Sequence, residues 1–124
     1  FIITGADRVA ANGDMANKTG TRSLAVNASF HGIPFFAALP CETIDMNTEK
    51  GKFIEIEERN KDEIISLNGT DTAPRNSRVF NPAFDIVPAD LVSAIITEKG
   101  VIHETICKDT VSELYSGSFA VSNN

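Results

Sequence analysis

The hydrophobic pattern at the start of the chain predicts one β-loop-α-β unit. Residues 1–4 form a continuous apolar and β-branched run, which is typical of a strand buried on both faces of a parallel sheet. Residues 14–31 carry an apolar stripe at helical spacing that ends at Gly32, and residues 33–39 are a second short apolar run. Because a helix between two parallel strands implies a right-handed crossover, residues 1–39 predict an α/β fold.

The middle of the chain predicts shorter elements. Residues 53–57 alternate apolar and charged side chains like a half-exposed strand, and residues 58–76 are polar and predict an irregular surface excursion. Residues 79–86 return to an apolar pattern. A narrow apolar face over residues 88–99 predicts a helix that starts at a proline, and residues 101–102 can supply a last short strand.

These elements divide the chain into an α/β domain over residues 1–102 and a carboxyl-terminal tail over residues 103–124. Within the tail, residues 111–115 predict a short helix. The last positions are small and polar, which is typical of a disordered end.

Composition narrows the class of protein. The 124 residues suffice for one domain, and 42% hydrophobic with 23% charged residues is ordinary for a soluble globular chain. No apolar stretch is long enough to cross a membrane. The net charge of −6 argues against a nucleic-acid or anionic-membrane surface, because such surfaces need clustered lysine and arginine. We therefore expect no nucleic-acid and no membrane partner, and a local site for any phosphate.

The cysteines and histidines indicate neither a disulfide framework nor a metal site. Cys41 and Cys107 are too few and too far apart for either, and reduced thiols in the cytosol are the simplest interpretation. His31 and His103 have no carboxylate or thiol at a useful ligand spacing. The expected location is cytoplasmic, and also nuclear if the source is a eukaryote.

The most polar stretch, GADRVAANGDMANKTGT at residues 5–21, follows the first predicted strand directly. In an open α/β sheet, ligands bind outside the carboxyl ends of the strands, and Asp7 falls there. A carboxylate at this position can act as a general acid or base, or as a counter-charge. The alternative is that Asp7 caps the loop or pairs with Arg8, and the residues alone leave both open.

Lys18 and Asn17 lie where the pattern places the early part of a helix. Helix amino termini favour anions, and a lysine adds a full positive charge, although a solvated surface lysine is the simpler alternative. Asp85 is a second acidic candidate, but an aspartate ahead of a helix is more often a cap. The chain has no phosphate-binding glycine motif of the GxxxxGK[ST] or GxGxxG type.

Four sequence blocks follow one another along the chain: GADRVAANGDMANKTGT at 5–21, AALPCETID at 37–45, IEIEERNKDE at 54–63 and NPAFDIVPADLVSAIITEKGV at 81–101. In this order they resemble the carboxyl-terminal half of the methylthioribose-1-phosphate isomerases, and the match reaches from residue 1 to about residue 102. The superfamily that contains them also includes ribose-1,5-bisphosphate isomerases and the regulatory alpha, beta and delta subunits of translation initiation factor two B.

The resemblance implies a partial carboxyl-terminal domain of the α/β class, with a Rossmann-like, mostly parallel sheet flanked by helices. It implies isomerisation of 5-methylthioribose 1-phosphate to 5-methylthioribulose 1-phosphate in methionine salvage, with no metal or organic cofactor. By motif match, Asp7 is the catalytic acid-base residue, and Asn17 and Lys18 contact the substrate. The implied partners are the sugar-phosphate substrate, the amino-terminal segment of the same protein and a second copy in a homodimer.

Two departures and two alternatives accompany this resemblance. The catalytic cysteine and phosphate loop of the family lie upstream of this segment, so neither Cys41 nor Cys107 inherits a role, and we expect this chain alone to be inactive. The chain also begins within a predicted strand, as expected for a piece of a longer polypeptide. The alternatives are a non-catalytic regulatory subunit related to initiation factor two B and a ribose-1,5-bisphosphate-type isomerase; Asp7 within GADR favours the enzyme.

Overall fold

A computed structural model describes residues 1–103 and 105–118 as a mixed α/β structure with three sheets, three helices and three short 3₁₀ turns. The strands are β1 Ile2–Thr4, β2 Arg8–Ala10, β3 Met15–Lys18, β4 Phe35–Ala38, β5 Ile44–Asp45, β6 Ser66–Leu67, β7 Thr70–Asp71, β8 Phe84–Val87, β9 Ala94–Thr97 and β10 Gly100–Ile102. The helices are α1 Thr21–Phe30, α2 Asp62–Ile65 and α3 Lys108–Ser116, and the 3₁₀ turns are Cys41–Thr43, Gly51–Phe53 and Ala89–Leu91.

The main sheet has the strand order β1-β4-β9-β10 and confirms the predicted α/β fold. Strand β1 pairs in parallel with β4, Ile2 opposite Phe35, and β4 pairs in parallel with β9. Only β10 is antiparallel to its neighbour. Helix α1 lies between β1 and β4 in sequence, as the predicted β-loop-α-β unit requires.

A second sheet, β5-β2-β3-β8, corrects two predictions. Its β2–β3 and β3–β8 pairs are antiparallel, so a mostly parallel arrangement describes the main sheet alone. Residues 15–18 are a strand, and helix α1 begins only at Thr21. The cause is a hairpin turn: Gly13 adopts φ of 89° and donates its amide to the Ala10 carbonyl at 2.9 Å, which reverses the chain before the helix can start.

The helix predicted over residues 88–99 is also wrong. Pro88 precedes a 3₁₀ turn, and strand β9 follows in the centre of the main sheet, with β4 on one side and β10 on the other. Ile95 is fully buried there. A short apolar run fits a buried strand as well as a helix face, and β-branched residues pack well in a central strand. The strand predicted at residues 101–102 is confirmed as part of β10.

Residues 53–76 differ from the predicted strand and irregular excursion. The 3₁₀ turn Gly51–Phe53 leads into an extended segment whose bridge in the described structure joins Glu58 to Pro82. Ile54 is buried and packs with Ala10 and Ala16. The alternating pattern therefore indicates correctly that Ile54 faces inward, although the segment is not a continuous strand. Beyond it, α2 and the β6–β7 hairpin give the excursion some regular structure.

One hydrophobic core joins the main sheet to both long helices. Val111 and Leu114 of α3 belong to the same buried cluster as Phe35, so the helix predicted near residues 111–115 is confirmed and packs on the domain. The boundary after residue 102 stays a prediction, and the predicted disorder of the last positions lies outside the described residues. In the described ranges, no helix combines the length and apolar character that a membrane span needs.

Asp14 stabilises the far end of the second sheet. Its carboxylate accepts the amides of Gly51 and Ala89, both at 3.0 Å, and so joins three segments distant in sequence. Burial raises the pKa of Asp14, but hydrogen bonds from Asn12, Ala89 and Gly51 and the charge of Lys50 outweigh burial and hold the pKa below its ordinary value of 3.8. Asp14 is therefore a structural carboxylate.

Candidate active site

A local irregularity at the start of β2 determines where Asp7 points. The Asp7 amide donates to the Ala16 carbonyl at 2.8 Å, while Arg8 is the residue paired with Ala16 in the β2–β3 ladder. Two successive residues therefore face one residue of β3, which is the pattern of a β-bulge. Because a bulge breaks the normal alternation, Asp7 lies on the same side of the sheet as Arg8 and Ala16. This placement follows the carboxyl end of β1, as predicted.

Asp7 lines an open groove of about 540 Å³ on that side of the second sheet. One wall comes from the extended segment after the second 3₁₀ turn and the floor from β2, β3 and β8. The Asp7 carboxylate is exposed in the described structure. The other residues lining the groove are Arg8, Ala16, Ile54, Glu55, Ile56, Glu57 and Phe84.

Lys18 approaches the same groove at the end of β3. It pairs in register with Phe84, and its Nζ lies 4.3 Å from the centroid of the Phe84 ring. A cation above an aromatic face is attracted by the negative charge of the ring surface, so this contact favours an ammonium beside the groove. The structure thus brings Asp7 and Lys18 to one surface.

Asn17 lies on the opposite face of β3. Successive side chains of a strand alternate, so Asn17 shares a face with Met15 and not with Ala16. Its Nδ2 donates to the Thr21 Oγ1 at 3.1 Å, which joins the end of β3 to the start of α1. In the described structure Asn17 therefore lies next to the candidate groove, behind Lys18, and not in its wall.

The amino terminus of α1 already has a carboxylate cap. This corrects the prediction that Lys18 lies at the start of a helix whose amides are open to an anion. Lys18 ends a strand, and the helix starts three residues later. The Asp85 carboxylate in β8 accepts the Gly20 amide at 2.7 Å and the Arg22 amide at 3.0 Å. Asp85 is a helix cap, as its residue type indicates. It caps α1, however, and not a helix after residue 88.

Arg8 pairs with a different carboxylate from the one its sequence neighbour suggests. Its Nη1 lies 3.3 Å from the Asp45 Oδ2, so in this structure Arg8 is directed to β5 and the alternative pairing with Asp7 is not formed. Asp45 also accepts the Thr48 hydroxyl at 2.9 Å and the Asn47 amide at 3.0 Å. Asp7 is thereby left free to face the groove.

Sequence analysis did not predict the residues that form the walls of the groove. Ile54 and Ile56 supply apolar surface, and Glu55 and Glu57 add two carboxylates beside Asp7. The alternation in IEIE was the available signal, but it does not say which surface the apolar side covers. Over residues 1–103 and 105–118, the His, Cys, Asp and Glu side chains form no group of three arranged to hold a metal ion.

Both cysteines lie outside the groove and carry free thiols. Cys41 is buried and its amide donates to the Glu98 carboxylate at 2.8 Å. Cys107 begins α3, where hydrogen bonds with the amide and the hydroxyl of Thr110 lower its pKa. That neither cysteine inherits the catalytic role stays a prediction.

Fold and site together define an α/β domain with an open groove at the carboxyl end of a parallel strand, and with a carboxylate and a lysine at one surface. A family model described as the initiation factor 2 subunit family matches residues 1–104. Because this match spans most of the chain, the chain belongs to the initiation factor 2 subunit family.

Individual relatives divide that family into enzymes and translation factors. The chain is 58% identical over 102 residues to a methylthioribose-1-phosphate isomerase of Thermosipho melanesiensis, a match that covers 82% of this chain and 30% of the relative. Among solved structures, the 5-methylthioribose 1-phosphate isomerase of Pyrococcus horikoshii OT3 superposes with a TM-score of 0.84 at 48% identity, covering 93% of this chain and 32% of that one.

A translation initiation factor eIF-2B subunit delta from A. fulgidus has nearly the same backbone, with a TM-score of 0.82 at 39% identity, covering 92% of this chain and 33% of that one. The fold is thus shared by proteins with different names, and the backbone does not choose between them. The chain spans about a third of the length of these relatives.

Proposed function

We propose that the full-length protein is a methylthioribose-1-phosphate isomerase and that this chain supplies part of its active site. The observation that carries the proposal is the bulge at Asp7, which turns a carboxylate into the groove beside Lys18. The identities to proteins named as this isomerase, up to 59%, exceed the 39% to the initiation factor subunit and support the enzyme. A carboxylate aimed into a groove has no evident use in a purely structural subunit.

The proposed reaction needs an acid-base group because protons enter and leave at different oxygens. Opening the sugar ring breaks the bond between C1 and the ring oxygen, which must gain a proton. The hydrogen on C2 moves to C1 with its electron pair, which replaces the pair that left with the ring oxygen, and the C2 hydroxyl loses a proton as it becomes the ketone. Asp7 can give the first proton and take the second, which is general acid-base catalysis by one carboxyl group. The net reaction consumes no proton and needs no cofactor.

The groove also indicates what this chain does not provide. Its lining includes Asp7, Glu55 and Glu57, while the Arg8 guanidinium is directed to Asp45. A phosphate dianion beside three carboxylates needs more positive charge than Lys18 alone supplies. We therefore propose that the rest of the protein, including its amino-terminal part, contributes the phosphate-binding groups and that the chain alone is inactive. Asn17 is proposed to contact substrate once that part is in place.

The proposal extends to the state of the whole protein. We propose that it acts as a cytoplasmic homodimer on a small sugar phosphate, without metal or organic cofactor. The shared fold keeps the regulatory subunit as the second candidate, because the subunit delta structure superposes almost as closely as the isomerase.

A turnover assay of the full-length protein with methylthioribose 1-phosphate separates these candidates. We expect conversion to the ketose, which is measured as the loss of substrate and the appearance of a carbonyl product. Binding without conversion would favour a regulatory subunit. Conversion of ribose 1,5-bisphosphate in preference to methylthioribose 1-phosphate would assign the related isomerase instead.

Replacing Lys18 by alanine is expected to weaken substrate binding. Loss of one charge-assisted contact with the phosphate costs about 1.5–3 kcal/mol, which is roughly a tenfold to hundredfold rise in Kd. The measurement is substrate titration by calorimetry on the full-length Asp7→Asn protein, in which turnover is blocked.

Lys99→Ala is the matched control for this change. Its Nζ also lies over an aromatic ring, 5.3 Å from the Tyr115 centroid, but Tyr115 belongs to α3, whereas Phe84, the ring under Lys18, lines the groove. Equal affinities of the Lys18→Ala and Lys99→Ala proteins would return Lys18 to the role of a solvated surface lysine.

A further inference from the structure

Helix α1 depends on a distant residue for its cap. Its N-cap residue is Gly20, which adopts φ of 106° and has no side chain to bond the first free amides. Asp85 supplies that cap from β8, with its two carboxylate oxygens on the amides of Gly20 and Arg22 at 2.7 and 3.0 Å. The negative charge also lies at the positive end of the helix dipole, where a carboxylate is stabilising.

The residues between β3 and α1 are also held to the segment just before β8. The Thr19 hydroxyl donates to the Pro82 carbonyl at 2.6 Å, and the Thr19 amide donates to the Ala83 carbonyl at 3.2 Å. The Thr21 hydroxyl donates to the Lys18 carbonyl at 2.6 Å. Residues 18–21 therefore form a turn, here called the Lys18 turn, whose position is set by hydrogen bonds to Asp85 of β8, to residues 82–83 just before β8, and within the turn itself.

Asp85 is the charged member of this arrangement and also lies opposite Asn17 in the β3–β8 ladder. Its side chain is on the opposite face of β8 from Phe84, the ring under the Lys18 ammonium, because neighbouring residues of a strand alternate. Asp85 is not among the residues that line the groove. Its carboxylate bonds the Gly20 and Arg22 amides, so its hydrogen bonds connect it to the groove through the Lys18 turn.

We propose that Asp85 is a positioning residue: by capping α1 across the sheet, it holds the Lys18 turn so that the ammonium faces the groove. This inference rests on the proposed function. It also changes the expected source of positive charge at this site, because two amides at the amino terminus of α1, those of Gly20 and Arg22, already bond the Asp85 carboxylate. The Lys18 ammonium, and not the helix terminus, is then the anion-binding group of this segment.

The test is Asp85→Asn in the full-length protein. Asparagine keeps one side-chain oxygen acceptor and the size of the residue, so folding is retained, but the charged cap is lost. We expect KM to rise roughly tenfold, the size of one weakened charge-assisted contact, with kcat within about twofold of the wild type because Asp7 is not touched. Asp85→Glu, which restores the charge on a longer side chain, should recover part of the KM.

Asp14→Asn is the matched control, because Asp14 also accepts two backbone amides, those of Gly51 and Ala89, but at the other end of β3. It should lower the unfolding temperature without changing KM. An unchanged KM in Asp85→Asn would overturn the positioning role, because the predicted effect would be absent. An equal rise of KM in Asp14→Asn would also overturn it, because the rise would then reflect a general loss of stability.

Amide hydrogen exchange tests the same inference without turnover. A peptide covering residues 18–22 should exchange faster in Asp85→Asn than in the wild type and in Asp14→Asn. If the wild type does not convert methylthioribose 1-phosphate, the proposed function fails, and exchange still decides whether Asp85 holds the Lys18 turn. Wild-type exchange in Asp85→Asn would overturn the inference whether or not the protein is active.

Discussion

Asp7→Asn in the full-length protein should reduce kcat by about 10²–10⁴-fold, the usual contribution of a positioned acid-base group. Asparagine has the shape of aspartate, and the backbone hydrogen bond from the amide of residue 7 to the Ala16 carbonyl does not depend on the side chain, so the bulge and the fold remain. It cannot exchange a proton with the ring oxygen or the C2 hydroxyl of the sugar. Steady-state kinetics with methylthioribose 1-phosphate measure the loss, and calorimetry should find substrate affinity largely unchanged.

Asp90→Asn is the control for this variant. Asp90 is an exposed carboxylate in the 3₁₀ turn after β8 and is not in the lining of the groove, so its removal makes the same change in net charge. Its kcat should match that of the wild type. Turnover by Asp7→Asn at the wild-type rate would remove Asp7 from catalysis and restore the interpretation of Asp7 as a loop residue.

Leu114→Ala should destabilise the 124-residue chain by about 2–5 kcal/mol. Leu114 and Val111 are fully buried where α3 meets the core, and truncation to alanine removes buried apolar volume and leaves a cavity. Equilibrium unfolding in urea, followed by circular dichroism, gives the change in the free energy of unfolding. A loss of this size would show that residues beyond 102 contribute to the domain.

Ser112→Ala provides the comparison on the same helix. Ser112 is exposed, and surface substitutions away from caps and ion pairs usually change stability by less than about 0.5 kcal/mol. A Leu114→Ala chain as stable as Ser112→Ala would mean that α3 does not pack on the core in solution, and that the boundary after residue 102 separates a true tail.

The failed predictions share one physical cause. At residues 15–18 and 94–97 the sequence carries apolar side chains at spacings that suit a helix face, yet both segments are strands that pair on two sides. The hydrophobic periodicity of a segment indicates which of its side chains are buried on one side, but it does not indicate whether partner strands are available. One partner of each strand is its hairpin neighbour, β2 for the first and β10 for the second, while the other partner, β8 or β4, comes from a distant part of the chain.

The candidate site was predicted more completely in its residues than in its geometry. The position of Asp7 after β1 followed from the first apolar run and the rule for open α/β sheets. The choice of Asp7, Asn17 and Lys18 over their simpler alternatives came from resemblance, because spacing alone left both interpretations open. No local pattern indicated that Asn17 and Lys18 point to opposite faces of β3, since both had been placed in a helix.

The sequence by itself determined the α/β class, the β1-α1-β4 unit and the residue types available for acid-base chemistry and phosphate binding. These follow from local preferences of a few neighbouring residues. Only the tertiary structure decided that a bulge aims Asp7 into the groove, that Arg8 pairs with Asp45, and that Asp85 caps a helix whose first amide lies 65 residues earlier. Such contacts join residues far apart in the chain, so their energies depend on the packing of the whole domain.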